Sequence, residues 1–188
     1  MADNQFNIAL SHGALAASSG WSLVQCMDLK FARVAFGLYL VNGVVGLVTY
    51  AVLQSVVNEE ILKKVVTDLN WLCYIFCLPL IVAELYRLSG AEVDTVVYAA
   101  LPLCILFTYN ITALDFYNMA CIYGVLVSTS PPLGTMVALS YALMYVFSRS
   151  VPHVVVDNVP CPLCQYCVAV MNLLTVWMLL SERQKKYS

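Results

Sequence analysis

The sequence predicts an all-α fold, a polytopic bundle of transmembrane helices with six spans and with five as the alternative. Three observations carry that expectation. The 188 residues are 62% hydrophobic and only 11% charged, with a mean hydropathy of +0.82, whereas soluble domains hold about 45–50% apolar and about 25% charged residues. Apolar runs recur that are long enough to cross about 30 Å of hydrocarbon at about 1.5 Å per residue. Breakers and charges punctuate them.

The chain divides into an N-terminal segment, 1–30, a helical bundle, 31–181, and a short tail, 182–188. The first segment lacks the basic start of a signal peptide, and Ser11, His12, Gly13, Ser18, Ser19 and Gly20 interrupt its apolar residues. It reads as a cytosolic helix lying on the membrane surface, with Ile8, Leu10, Leu15, Trp21, Leu23 and Val24 as its apolar side. Targeting then falls to the first span, 31–54. Gly37, Gly43 and Gly46 let a neighbouring helix come close there, and Asn42, one turn from Gly46, belongs to the same packed face. Residues 55–68 place Glu59 and Glu60 four ahead of Lys63 and Lys64, the favourable order for helical ion pairs.

The second span, 69–88, should kink at Pro79. Glu84 sits near its end, three residues before Arg87, and reads as an ion pair at the membrane interface. Stretch 93–130 is too long for one crossing. Thr108, Asn110, Thr112, Asp115 and Asn118 mark either a tight hairpin between two short spans or a polar stripe on one kinked helix, where Thr108, Thr112 and Asp115 would share a face. In the stripe Asp115 is a functional candidate; in the hairpin it is a turn residue. Asn110-Ile-Thr112 matches the glycosylation pattern, yet a short hairpin would hold it too near the bilayer. Ser128 to Gly134, with Pro131 and Pro132, breaks the chain again. The spans 133–147 and 163–180 complete the set.

Orientation follows from charge. Lys185 and Lys186 stand fourth and third from the end, and the tail resembles the dilysine retrieval motif of endoplasmic reticulum membrane proteins. That resemblance implies a cytosolic C-terminus and the coat-protein retrieval machinery as a partner. With six spans, Lys30, Arg33, Arg87, Arg183, Lys185 and Lys186 are cytosolic against Lys63, Lys64 and Arg149 in the lumen, six against three; five spans give five against four. The positive-inside rule prefers six, with both chain ends cytosolic.

Cys73, Cys77, Cys104 and Cys121 fall inside apolar runs and read as small buried hydrophobes. Cys161, Cys164 and Cys167 cluster at the lumenal mouth of the last span, in an oxidising compartment. A local disulfide or three free thiols are the plain readings, and a lumenal position argues against palmitoylation. Cys161-x-x-Cys164 is also the spacing of redox-active dithiols. This arrangement resembles the vitamin K epoxide reductase family, small helical bundles of the same membrane. The resemblance implies Cys161 and Cys164, or Cys164 and Cys167, as an active pair, although the family's second cysteine pair has no counterpart in 55–68. With His153 the triplet could supply three sulfurs and one nitrogen to zinc, but structural sites draw on two separated ligand pairs.

No HExxH, GxSxG, P-loop or dinucleotide-binding glycine pattern occurs. The expected function is therefore that of a structural or accessory protein of the endoplasmic reticulum membrane, without catalytic activity or cofactor. Its partners are the lipid bilayer and other membrane proteins; a net charge of −2 with no basic run argues against nucleic acid. Two alternatives remain. One is a lumenal thiol-disulfide oxidoreductase built on Cys161, Cys164 and Cys167. The other is a channel or transporter with a polar path of Asp115, Asn110, Asn118 and Asn42.

Overall fold

A computed structural model describes residues 2–51, 59–108, 111–150 and 161–187. They form seven helices: α1 (Ala2–Gln25), α2 (Lys30–Ala51), α3 (Glu59–Ser89), α4 (Glu92–Thr108), α5 (Ile111–Ser128), α6 (Leu133–Ser150) and α7 (Pro162–Tyr187). Three helices are long and apolar enough to cross a membrane, over Lys30–Ala51, Glu60–Ser89 and Pro162–Lys186. Leu133–Phe147 is apolar but shorter.

Successive helices run antiparallel. Asn42 pairs with Asn70 and Phe31 with Glu84, so α2 and α3 run in opposite directions. Tyr86 stacks on Tyr98 and Tyr98 on Tyr117, which carries the alternation through α4 and α5. Gly90 makes the α3–α4 turn possible. Its φ of 84° suits a residue without Cβ, and the N–H groups of Gly90 and Ala91 donate to the carbonyls of Arg87 and Tyr86 at 3.3 and 3.0 Å. That is a helix-ending Schellman arrangement.

The core is centred on α3, which packs against α2, α4, α5 and α7. Ile75, Leu78 and Ile81 are fully enclosed, together with Phe36 of α2, Leu114 of α5 and Met171 of α7. Large apolar side chains also point outward: Phe107 is 82% exposed, Val93 78% and Phe116 74%. Those faces suit lipid rather than water.

The 93–130 stretch is divided. α4 ends at Thr108 and α5 starts at Ile111, as in the hairpin alternative, so no single helix carries Thr108, Thr112 and Asp115 as one stripe. Asn110 lies outside the described residues. α3 runs from Glu59 to Ser89 with Pro79 inside it, and it absorbs the charged 59–68 segment as its first turns.

The N-terminal segment departs from the surface helix expected of it. α1 lies along α2 and α7 and encloses Ser11, His12, Leu15, Ser19 and Ser22 completely. The reason is size. A Cβ on Gly43 would stand 2.6 Å from the backbone nitrogen of Ala16, and one on Gly46 would stand 2.2 Å from Nδ1 of His12. The two helices therefore touch backbone to backbone, which small residues permit and a polar surface helix would not need. α1 runs antiparallel to α2 and parallel to α7, as the pairing of Ser19 with Asn172 and of Asp28 with Arg183 shows. α1 thus starts where α7 starts, so Ala2 and Tyr187 lie at opposite ends of the bundle.

Candidate functional site

The interior of the α1–α2–α3–α7 group is unusually polar. Gln165, Asn172 and Thr175 are spaced i, i+7 and i+10 and share one face of α7. Gln165 Nε2 and Asn42 Nδ2 both donate to Asn70 Oδ1, at 2.9 and 2.8 Å. One amide oxygen thereby joins three helices. Nearer the other end, Asn172 Nδ2 donates to Ser19 Oγ at 2.9 Å and Ser22 Oγ donates to the Asn172 carbonyl at 3.4 Å. His12 stacks on Tyr50, with ring centroids 5.9 Å apart.

Not every group in this seam is satisfied. Both ring nitrogens of His12, Asn42 Oδ1, Asn172 Oδ1 and Thr175 Oγ1 are buried without a protein partner. Each such group costs about 1–3 kcal/mol when left unpaired. Among the described residues only Asn118 Nδ2 shares that state elsewhere.

The polar residues expected to form one path are not brought together. Asn42 belongs to the Asn70 and Gln165 knot. Asp115 Oδ1 accepts from Tyr74 Oη at 3.5 Å, and Asn118 Oδ1 accepts from Tyr141 Oη at 3.2 Å. These bonds tie α5 to α3 and α6, beside the stacked rings of Trp71, Tyr74 and Tyr145.

All eight cysteines are free. Cys161, Cys164 and Cys167 sit at the start of α7, half-buried, and Cys164 and Cys167 touch the core. Cys73 and Cys77 are buried on α3, and Cys77 donates to the Ala35 carbonyl at 3.5 Å. Burial, with Asp28 and Glu84 nearby, pushes the Cys26 thiol in the α1–α2 turn up to about 12. It is a packed thiol, fully enclosed in the core. Among the described residues no three His, Cys, Asp or Glu side chains converge on a point where a metal could sit; His153 lies outside them.

The opposite end of the bundle is ionic. Glu84 is wholly buried, and its Oε2 accepts from the N–H groups of Phe31 and Ala32 at 2.7 and 3.4 Å. Its Oε1 is paired with Arg87, whose Nε lies 2.7 Å away. The expected ion pair is present, but the carboxylate caps α2 inside the protein instead of reaching for water. Arg183 bridges Asp28 at 2.5 Å. Lys185 Nζ donates to Glu182 Oε1 at 2.6 Å and to Ser130 Oγ at 2.7 Å, and Lys186 Nζ reaches the Arg87 carbonyl at 3.4 Å. Both lysines of the retrieval-like tail therefore lie on a helix that continues to Tyr187. Beside them is a cavity of about 330 Å³, bounded by Leu85, Leu88, Gly90 and Ser128.

Asn70, Gln165, Asn172 and Thr175 are not among the residues expected to matter, and His12 was expected only as a break in the apolar side of the N-terminal helix. The usable signals were the spacing of 165, 172 and 175 on one face of α7 and that of 12, 15, 19, 22 and 26 on α1. No protein-family model matches the chain, and neither the curated proteins nor the solved structures compared with it gave a match.

Proposed function

We propose that this chain is a multi-pass protein of the endoplasmic reticulum membrane that crosses six times through α2 to α7, with α1, packed against α2 and α7, as one further crossing ahead of them. It has no catalytic activity of its own and works through contacts with other membrane proteins or with lipid. The observation that carries this reading is how the side chains are divided. The reactive groups are used as joints: Glu84 as a cap, Cys77 in packing, and Asn42, Asn70 and Gln165 as a knot between helices. What faces outward is apolar, led by Phe107, Val93 and Phe116. The surface is then the working part.

The cations support an orientation. Lys30, Arg33, Arg87, Arg183, Lys185 and Lys186 belong to the end where α7 finishes, and Lys63 and Lys64 to the other. The positive-inside rule makes the first end cytosolic, where Lys185 and Lys186 would meet the retrieval machinery. Stepwise thiol mass-tagging in intact microsomes, before and after mild reduction, tests the non-catalytic reading. It expects Cys161, Cys164 and Cys167 to stay in one redox state. A pair that cycles, with a Cys161→Ser or Cys164→Ser variant that traps a mixed disulfide, would replace it with the oxidoreductase.

A second reading is favoured by the unmet hydrogen-bonding capacity of the seam. A channel or transporter path would run past His12, Asn172 and Thr175 rather than past Asp115. Proton or ion flux in proteoliposomes should then be lost in His12→Phe and kept in Asp115→Asn. Flux no faster than in protein-free liposomes removes this reading.

A further inference from the structure

We infer that the cavity at the α7-terminal end of the bundle binds the phosphate of an anionic phospholipid. The inference deepens the lipid-contact reading above and rests on it. The cavity lies where α3, α5 and α7 end, and its volume of about 330 Å³ is within the range of small-molecule sites, roughly 300–1,000 Å³. Its floor is Leu85 and Leu88, 2% and 8% exposed. Its wall carries Lys185, Lys186 and Glu182, so the lining holds one net positive charge. The charge of Arg87 is already taken by Glu84.

Lys186 is the responsive group. Among the described residues its ammonium reaches only a neutral carbonyl, at 3.4 Å, which is long for a hydrogen bond. A phosphate oxygen at about 2.8 Å would form a shorter, charge-assisted bond roughly twice as strong. Lys185 is held in place by Glu182 and Ser130 and adds field to the same wall. Three residues beyond Gly90, the outer face of α4 begins with Val93, Val96 and Val97, 78%, 65% and 48% exposed. Acyl chains can lie on that face while the phosphate sits at the lysines. A phosphate ion without acyl chains shares the headgroup's chemistry but gains nothing from α4. A basic pocket between helices at the cytosolic face is the expected form of an anionic-lipid site.

The test uses the full chain in vesicles of phosphatidylcholine with phosphatidic acid, followed by native mass spectrometry of the lipid retained after release. Wild-type protein should retain phosphatidic acid in preference to phosphatidylcholine. Lys185→Gln with Lys186→Gln should lower that retention about 30-fold, from roughly a fivefold contribution per lysine near an anionic surface. Lys63→Gln with Lys64→Gln, at the other end, should change it less than about twofold, as expected beyond a Debye length. Ser128→Phe, which fills the cavity without touching charge, should reduce retention as well. Equal retention of the two lipids, or no response to either cavity variant, overturns the inference. Displacement of the lipid by inorganic phosphate overturns it in favour of a free-anion site. Flotation of the same vesicles separates the two levels: protein that floats without lipid preference defeats this site alone, and protein that does not float defeats the membrane reading beneath it.

Discussion

Removing the Glu84 carboxylate should destabilise the bundle out of proportion to the size of the change. In Glu84→Ala the first turn of α2 loses its only side-chain acceptor among the described residues, because Phe31 and Ala32 N–H both point at Oε2. Loss of a helix cap costs about 0.5–2 kcal/mol. The site is buried and the acceptor is charged, so about 2 kcal/mol is appropriate. Arg87 loses its partner too, but its side chain is 37% exposed and can regain water, which limits that part to about 1 kcal/mol. The sum is about 3 kcal/mol, or a melting point lower by about 6–12 °C for a chain of this size. Glu84→Gln keeps one acceptor oxygen and should lose about half as much. The assay is thermal unfolding in mild detergent, followed with a dye that fluoresces on reaching thiols, since Cys26, Cys77 and Cys121 are fully enclosed. To silence the accessible thiols, Cys104, Cys161, Cys164 and Cys167 are replaced by serine in every variant. A Glu84→Ala protein melting within about 2 °C of its parent would mean that the carboxylate stands in water, and the capping argument fails.

Three further expectations use the same assay or simpler ones. Gly43→Ala should destabilise by about 1–3 kcal/mol because its Cβ meets the Ala16 backbone, while Gly37→Ala, with nothing within 4 Å, should gain about 0.5–1 kcal/mol; equal effects would contradict the α1–α2 contact. Asn70→Leu strands the amide donors of Asn42 and Gln165 together, and a loss of about 2–3 kcal/mol in the melting assay is expected. In native detergent-solubilised protein, maleimide should modify Cys161, Cys164 and Cys167 well before Cys26, Cys77 and Cys121, and mass spectrometry of the tags gives the order.

The helices of the bundle and most of their limits could be read from apolar runs and breakers, because length and hydropathy are local properties. Charge order made the 59–68 extension of α3 legible in the same way. α1 was not legible as a packed helix. Its buried face mixes Ile8 and Leu15 with Ser11, His12, Ser19 and Ser22, which dilutes the hydrophobic signal, and its partners Gly43 and Gly46 lie some thirty residues away in sequence. Glu84 shows the same limit: its spacing to Arg87 gives the ion pair, but its second partner is the start of α2, more than fifty residues earlier. Asp115 and Asn118 attracted notice as polar residues in an apolar stretch. Their tyrosine partners, Tyr74 and Tyr141, explain them as joints between helices, and such pairings depend on tertiary structure alone.

The measurement that tests the central claim most directly is labelling of single-cysteine variants with a membrane-impermeant maleimide in sealed microsomes. On a cysteine-free background, Gln184→Cys should be modified at once. A lone Cys161, and a Gln5→Cys at the start of α1, should be modified only after the membrane is opened. That pattern places the two ends of the bundle on opposite sides, with α1 alongside α2 across the membrane and the α7 terminus in the cytosol. Modification of Gln5→Cys together with Gln184→Cys in sealed microsomes would contradict the packing of α1, and immediate modification of Cys161 would contradict the orientation of the whole bundle.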